Sequence, residues 1–325
     1  MTPRITLLPG DRNGIGPELL AKFLAEPAGY DGIDLEILGD PDVVAQGADA
    51  AGVDLGHGTF RQTTFRPVEG IATTRAQETA AAGRECLDLL VHASKRVLAG
   101  EADGVVFAPL NKTAMHLGGL THEDEMQYLA DALAWDGLYG ELNVMDKIDS
   151  LWTTRVTSHI PLKDVANYIT RDSVLGAIRF ADTTLRNAGF AAPRVGVAAL
   201  NPHAGDGGNF GREEIDIIAP ATERAVAEGI DATGPLPSDT IFVRATKGQF
   251  DVVVTMYHDQ GQIAMKLMGF GRGVTVLGGL PVPIATCAHG TAYDIAGQGI
   301  ATPESFKNAF AICKAMATSR LKAGQ

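Results

Sequence analysis

Residues 251–261, DVVVTMYHDQG, constrain the chain more than any other stretch. Val252, Val253, Val254 and Met256 form a continuous apolar, β-favouring run, which reads as a strand buried on both faces, and a polar His258-Asp259-Gln260-Gly turn follows at once. Strands buried on both faces belong to parallel sheets covered by helices, and in such sheets ligands sit beyond the carboxyl ends of the strands. Two further histidines stand at similar junctions: His159 in SHIPL after LWTTRVTS, and His203 in NPHAG after RVGVAAL. One histidine after a strand is more often a solvated or hydrogen-bonded surface residue than a ligand. Three such junctions fit an imidazole-rich divalent-metal site with a position left open for substrate.

Strands and helices alternate along the chain, the signature of an α/β protein. ITLLPGDRNGIGPELL reads as strand, Gly-rich turn and a helix beginning near Pro17. DLEILGD gives a second strand, a helix is expected from about Thr74 to Leu98, and GVVFAP delivers Asn111 and Lys112 to a strand end. Lys112 fits either a site residue or a solvated lysine at a helix start. NVMDKIDSLWTTRVTSH reads as a hairpin turning near Asp149 and Ser150, residues 162–188 as one helix, and GREEIDIIAPATERAVAEG as another. In GPLPSDT, Asp239 fits either a helix N-cap or a site carboxylate. The glycines and small residues of VTVLGGLPVPIATCAHGTAYDIAG suit close approach of backbone to a nucleotide, with Asp294 able to accept from a ribose diol; an ordinary Gly-rich loop is the plainer alternative. No repeat, low-complexity tract or linker is evident.

With 325 residues and 45% hydrophobic content the chain can fill two domains, and a formal charge of −12 without any basic run argues against nucleic acid or an anionic membrane as partner. No apolar stretch reaches the length of a membrane span and the start lacks a signal-peptide pattern, so a soluble, cytoplasmic protein is expected. Cys86, Cys287 and Cys313 are widely spaced and lack CxxC, so they read as buried thiols rather than disulfides or zinc ligands.

Taken together, GDRNGIGPEL (10–19), APLNKTAMH (108–116), SHIPL (158–162), LNPHAGDGG (200–208), GPLPSDT (234–240), MYHDQG (256–261), GFGRGV (269–274) and HGTAYDIAG (289–297) resemble the 4-hydroxythreonine-4-phosphate dehydrogenase family of pyridoxine biosynthesis, in the family's order over nearly the whole chain. The ends also resemble the wider isopropylmalate and isocitrate dehydrogenase superfamily. The resemblance implies two α/β/α domains with a cleft between them, the first from residues 1–136 and 289–325 and the second, carrying the histidines and dimer interface, from 137–288. It implies a homodimer with a shared active site, His159, His203 and His258 as ligands of one divalent ion (zinc, cobalt, magnesium, manganese or nickel), and His258 supplied by the neighbouring subunit. NAD or NADP would lie against Gly278, Gly279, Leu280, His289, Gly290, Thr291, Ala292 and Asp294. Lys266 matches a substrate-contacting lysine and Asp239 a carboxylate near the metal, and either is a candidate proton acceptor. The reaction implied is metal-assisted oxidation of a secondary alcohol with hydride transfer to the nicotinamide, followed by loss of CO₂ where the product is a β-keto acid.

Four positions depart from the family's biosynthetic pattern. GHTEF is replaced by DEMQY (124–128), which puts Glu125 and Met126 at the substrate-binding pair. The asparagine after GFGRGV is Thr275, and the arginine five residues before His289 is Ile284. A guanidinium is the natural fork for phosphate or carboxylate, and Glu125 would repel a phosphate dianion. The expected substrate is therefore a related hydroxy acid or cis-dihydrodiol carboxylate. The alternatives are a genuine 4-hydroxythreonine-4-phosphate dehydrogenase, a decarboxylase of the same fold that has lost NAD, and a non-catalytic metabolite-binding protein.

Overall fold

The computed structural model describes residues 2–324 apart from His57, Glu69 and Phe270, so the phenylalanine of GFGRGV lies outside the described residues. In chain order the strands are β1 (Arg4–Leu8), β2 (Asp34–Gly39), β3 (Arg61–Thr64), β4 (Gly104–Phe107), β5 (Gly140–Val144), β6 (Trp152–Arg155), β7 (Arg194–Ala198), β8 (Asp231–Leu236), β9 (Val252–Thr255), β10 (Val274–Gly278) and β11 (Ile284–Cys287). The helices are α1 (Gly16–Leu24), α2 (Pro41–Ala51), α3 (Ala80–Leu98), α4 (Lys112–Leu117), α5 (Glu125–Ala132), α6 (Val165–Tyr168), α7 (Arg171–Asn187), α8 (Ala219–Ala227), α9 (Ser238–Thr246), α10 (His258–Gly269) and α11 (Glu304–Ala323). Among the described residues no helix is long and apolar enough to cross a membrane.

The chain divides into two compact units, 1–137 with 274–325 and 138–273. The expected boundary put residues 274–288 in the second unit. The structure puts them in the first, because β11 pairs in parallel with β4 (Ile284 with Val105) and β10 pairs antiparallel with β11. The Gly-Pro-rich sequence between β10 and β11 reads as loop and conceals both strands.

Within the first unit the strands run β3-β2-β1-β4-β11-β10, with β10 the antiparallel member. Within the second they run β8-β7-β9-β6-β5, with β5 antiparallel. The orders β2-β1-β4-β11-β10 and β8-β7-β9-β6-β5 are the same arrangement built twice, a structural recurrence without a repeat in the sequence. Their registers agree: Ile5 faces Leu35 and Gly104, and Val195 faces Ala232 and Val252. One clamp recurs as well. Arg4 donates from its backbone N–H (2.9 Å) and Nε (2.9 Å) to Asp103 Oδ2, from Nη2 to Oδ1 (2.8 Å), and from Nη1 to Gly100 O (2.6 Å). Arg194 does the same to Asp251 (2.8, 3.0 and 2.6 Å) and Gly248 O (2.6 Å). Burial would raise the Asp103 and Asp251 carboxyls, but the two arginines hold both below the ordinary carboxylate range.

Several expected elements shift for local reasons. The helix expected from Thr74 begins at Ala80, since Thr79 is its N-cap and Asn13 holds the preceding segment through Thr74 N–H (2.7 Å) and Gln77 O (2.9 Å). The single helix expected over 162–188 is broken at Thr170, which caps α7 with a Thr170–Ser173 capping box. The segment from Gly211 to Gly229 opens with a π-helical turn, Glu214–Ile218, before α8. Helices α3 and α4 touch backbone to backbone at Gly83, where a Cβ would lie 1.8 Å from Ala114 O. That contact seats Asn111, the N-cap of α4, and Lys112 at the end of β4.

Candidate active site

In the second unit, β9 ends in α10 directly, so His258-Asp259-Gln260 is the first turn of a helix rather than a free turn, with Asp259 favoured at its positive end. Thr157 ties the loop carrying His159 to β9 through its N–H (3.1 Å) and Oγ1 (2.8 Å), both donated to Met256 O. The His159 and His258 rings consequently lie 5.7 Å apart, centroid to centroid. His258 Nδ1 stands 2.6 Å from Asp259 Oδ1, which with the proton on Nδ1 leaves Nε2 as the donor atom, the usual carboxylate–histidine support of a ligand.

His203 is exposed and its ring lies beside Phe210 at 6.2 Å. Among the described residues no three His, Cys, Asp or Glu side chains of one chain gather into a group able to hold an ion. The donors fit a divalent metal in kind, and among the described residues the trio does not gather within one chain. Asp239 is exposed in the first turn of α9, whose N-cap is Pro237, so it is not the cap. Lys266 is exposed on α10 and has no hydrogen bond or ion pair among the described residues.

Gln260 proves more central than its neighbours suggest. Its Oε1 accepts from Met256 N (2.6 Å), and its Nε2 donates to Ala199 O (2.8 Å) and Ser238 Oγ (2.9 Å). One side chain thereby links the ends of β9 and β7 and the start of α9, the segments that carry His258, His203 and Asp239. The sequence put Gln260 at a strand end without indicating this role.

In the first unit, the GDRNGIGPE loop and the HGTAYDIAG loop are held together. Thr291 O accepts from Ile15 N (3.0 Å), Gly14 packs on Thr291, and the Glu18 carboxylate accepts from the N–H groups of Gly297 and Gly299 (2.9 Å for the latter). Ala292 is left-handed (φ 42), Gly290 faces open space, and Asp294 is exposed, so backbone and a carboxylate are both presented. His289 Nδ1 lies 3.1 Å from Gly290 O. Gly278 ends β10, Gly279 is left-handed (φ 82) and Leu280 is buried. These features suit a dinucleotide approached by backbone.

Beneath them lie charges that sequence reasoning passed over. Asp11 is fully buried and accepts from Tyr293 OH (2.6 Å) and Asn13 N (2.9 Å). Burial lifts its carboxyl above the ordinary value against those hydrogen bonds, and burial with Asp11 nearby raises the Tyr293 phenol too. Arg12 forks onto Glu85 (2.7 and 2.6 Å) and reaches Asp40 (3.2 Å). Polar residues in a motif read as contact with ligand, and only the fold shows that these face inward.

The substituted positions separate. Glu125 opens α5, and its carboxylate lies 3.9 Å from Lys112 Nζ, so Lys112 is a helix-start lysine facing an acid. Met126 follows it, half-buried. Thr275 is half-buried on β10 opposite Thr286, and Ile284 is 1% exposed on β11 between β4 and β10. Ile284 is a core residue, and an arginine there would set a cation inside the sheet.

Comparison with known proteins agrees with this geometry. The family described as pyridoxal phosphate biosynthetic protein PdxA matches residues 34–313. This chain belongs to the PdxA family. A Pseudomonas aeruginosa relative, assigned as a second 4-hydroxythreonine-4-phosphate dehydrogenase, is 45% identical over 95% of this chain and 96% of its own. The 4-hydroxythreonine-4-phosphate dehydrogenase structure from Klebsiella pneumoniae superposes with TM-score 0.81 at 31% identity, covering 97% of this chain and 99% of that one. A terephthalate 1,2-cis-dihydrodiol dehydrogenase from Burkholderia xenovorans gives TM-score 0.67 at 27% identity, covering 96% and 97%. A β-decarboxylating dehydrogenase from Thermococcus kodakarensis, at 16% identity and TM-score 0.53 over 99% of this chain and 89% of its own, shares the fold alone. The family is one of dehydrogenases acting on a CH–OH group, and the architecture is a mixed α/β fold shared with the Klebsiella pneumoniae enzyme and with the β-decarboxylating dehydrogenase.

Proposed function

We propose that this PdxA-family chain oxidises the secondary alcohol of a small hydroxy acid or cis-dihydrodiol carboxylate that lacks the phosphate of 4-hydroxythreonine 4-phosphate. The substrate reading is carried by Glu125, whose carboxylate lies 3.9 Å from Lys112 where the resemblance places a neutral polar pair. A carboxylate there offsets the charge of the nearby ammonium and repels a phosphate dianion. The cis-dihydrodiol named for the Burkholderia xenovorans neighbour is a substrate of the proposed kind.

The balanced reaction takes R₂CHOH and NAD⁺ (or NADP⁺) to R₂C=O, NADH and a proton, with CO₂ lost where a β-keto acid results. A divalent ion, when bound, supplies Lewis-acid polarisation of the hydroxyl. His159 and His203 of one copy would hold it together with His258 of a second copy in a homodimer. Lys266 Nζ is the proposed acceptor of the hydroxyl proton, with Asp239 acting through water as the second candidate. The loops with Gly278, Gly279, Leu280, His289, Gly290, Thr291 and Ala292 hold the nicotinamide dinucleotide, and Asp294 accepts from its ribose diol, which disfavours a 2′-phosphate. Thr275 and Met126 shape the substrate end. The cytoplasm supplies both cofactor and substrate.

The names of the relatives favour a second reading, a 4-hydroxythreonine-4-phosphate dehydrogenase of pyridoxine synthesis. NADH formation by metal-loaded protein, with that compound beside unphosphorylated hydroxy acids and dihydrodiols, separates the two. Turnover confined to the unphosphorylated set is expected. Efficient turnover of the phosphorylated compound would sink the substrate reading, and lack of NAD binding would favour a decarboxylase.

A further inference from the structure

His203 stands in an unusual backbone. Residues His203, Ala204, Gly205, Asp206 and Gly207 follow one another in the left-handed region (φ 54, 53, 78, 42 and 65). L-residues disfavour that region, and such a run persists only where surrounding contacts over-determine it. The contacts converge on Glu214, which is 2% exposed. Its Oε1 accepts from Leu200 N (2.9 Å) and Asn201 N (2.7 Å), and its Oε2 accepts from Asn201 Nδ2 (3.0 Å). The same Oε2 lies directly under the turn, 2.7 Å from where a Cβ on Gly205 would stand. Asn201 is braced further by Glu213 Oε2 (2.7 Å).

Glu214 opens the π-helical turn Glu214–Ile218. Such wide turns are uncommon and recur at functional sites. No lysine or arginine pairs with the buried carboxylate among the described residues; its partners are N–H donors of the segment leading into the left-handed run. A buried carboxylate satisfied by two backbone N–H groups and one side-chain amide of the segment it organises is an expensive way to stabilise a fold and an effective way to fix a loop.

We propose that Glu214 is a positioning residue that fixes the left-handed turn and so aims the His203 imidazole at the divalent ion, an inference that rests on the reading of His203 as a ligand. Cobalt(II) titration of the whole chain tests it, following both affinity and the visible d–d absorption, with thermal melting alongside. Glu214→Gln is expected to weaken cobalt binding by roughly 10–100-fold and to change the d–d band, as loss of support behind a ligand does. Gly205→Ala, which presses on the same carboxylate from the turn side, is expected to act in the same direction. Glu228→Gln, which removes a surface ion pair with Arg179 and Arg224 in the same unit, is expected to leave cobalt affinity and spectrum unchanged. If either Glu214→Gln or Gly205→Ala is folded and binds cobalt with wild-type affinity and spectrum, the role of Glu214 is overturned. If His203→Ala binds as the wild type does, or the wild type binds none, the ligand reading itself falls.

Discussion

Gln260→Ala offers the most quantitative test of how the second unit is held together. The substitution removes the acceptor of Met256 N–H, on a residue that is 0% exposed, and two donor bonds from Nε2. An orphaned buried N–H costs about 1–3 kcal/mol. The other two bonds cost less, because Ala199 O and Ser238 Oγ keep each other at 2.7 Å, so neither is stranded. With about 0.5 kcal/mol for each of these, the total is on the order of 2–4 kcal/mol. That corresponds to a fall in melting temperature of roughly 5–12 °C for a unit of this size. Gln260→Glu keeps the acceptor but turns a carboxylate oxygen toward Ala199 O, so it is expected to be no better than alanine. Urea unfolding with hydrogen exchange at the Met256 amide provides the assay. Stability within about 0.5 kcal/mol of wild type, or unchanged protection of that amide, would refute the reasoning.

The remaining predictions concern buried titratable groups. Burial raises the Asp11 carboxyl in the folded state, so the folded protein binds that proton more tightly than the unfolded chain does. Its contribution is therefore fully present below the unfolded carboxyl value and is lost as pH rises through the folded one. Asp11→Asn should accordingly gain stability relative to wild type as pH rises across that window, and a difference independent of pH would contradict the assignment. Glu228 runs the other way: hydrogen bonds from Arg179 and Arg224 lower its carboxyl to about 2, so its contribution is present above the ordinary value and lost as pH falls toward that point. Solvent access and screening keep the effect small, and 1 M salt should abolish it. Burial pushes the thiols of Cys287 and Cys313 up to about 12 and raises that of Cys86 as well. A thiol-specific chromogenic reagent should label them at the rate of unfolding; stoichiometric labelling of the native protein at mixing speed would show otherwise.

Legibility in the sequence followed the range of the forces involved. DVVVTMY announces a buried strand because its signal is local and continuous, and the histidines at strand ends could be placed from the chain alone. The duplicated arrangement could not. RITLL and RVGVA share little beyond an initial arginine, and each clamp joins residues far apart, Arg4 with Asp103 and Arg194 with Asp251. Only strand register shows that they are one device used twice. Ile284 illustrates the converse: alignment with a motif marked it as a substrate position, and burial between two strands makes it core. Glu214 and Asp11 were missed because an acid beside a glycine-rich loop looks solvated until the side it faces is known. The acid pair Glu213-Glu214, separated from NPHAGDGG by the four residues NFGR, is the signal that would have drawn attention to Glu214.

The pairing of β11 with β4 also has a consequence for synthesis. Residues 138–273 form the second unit as one uninterrupted segment, whereas the first unit needs residues 274–287 for two strands of its sheet. A nascent chain can thus close the second unit's sheet while the first still presents β4 with a bare edge. What is translated first is completed last. During that interval the open edge of β4 is an invitation to wrong partners, and chaperone engagement, as well as sensitivity to premature termination shortly after residue 273, should concentrate there.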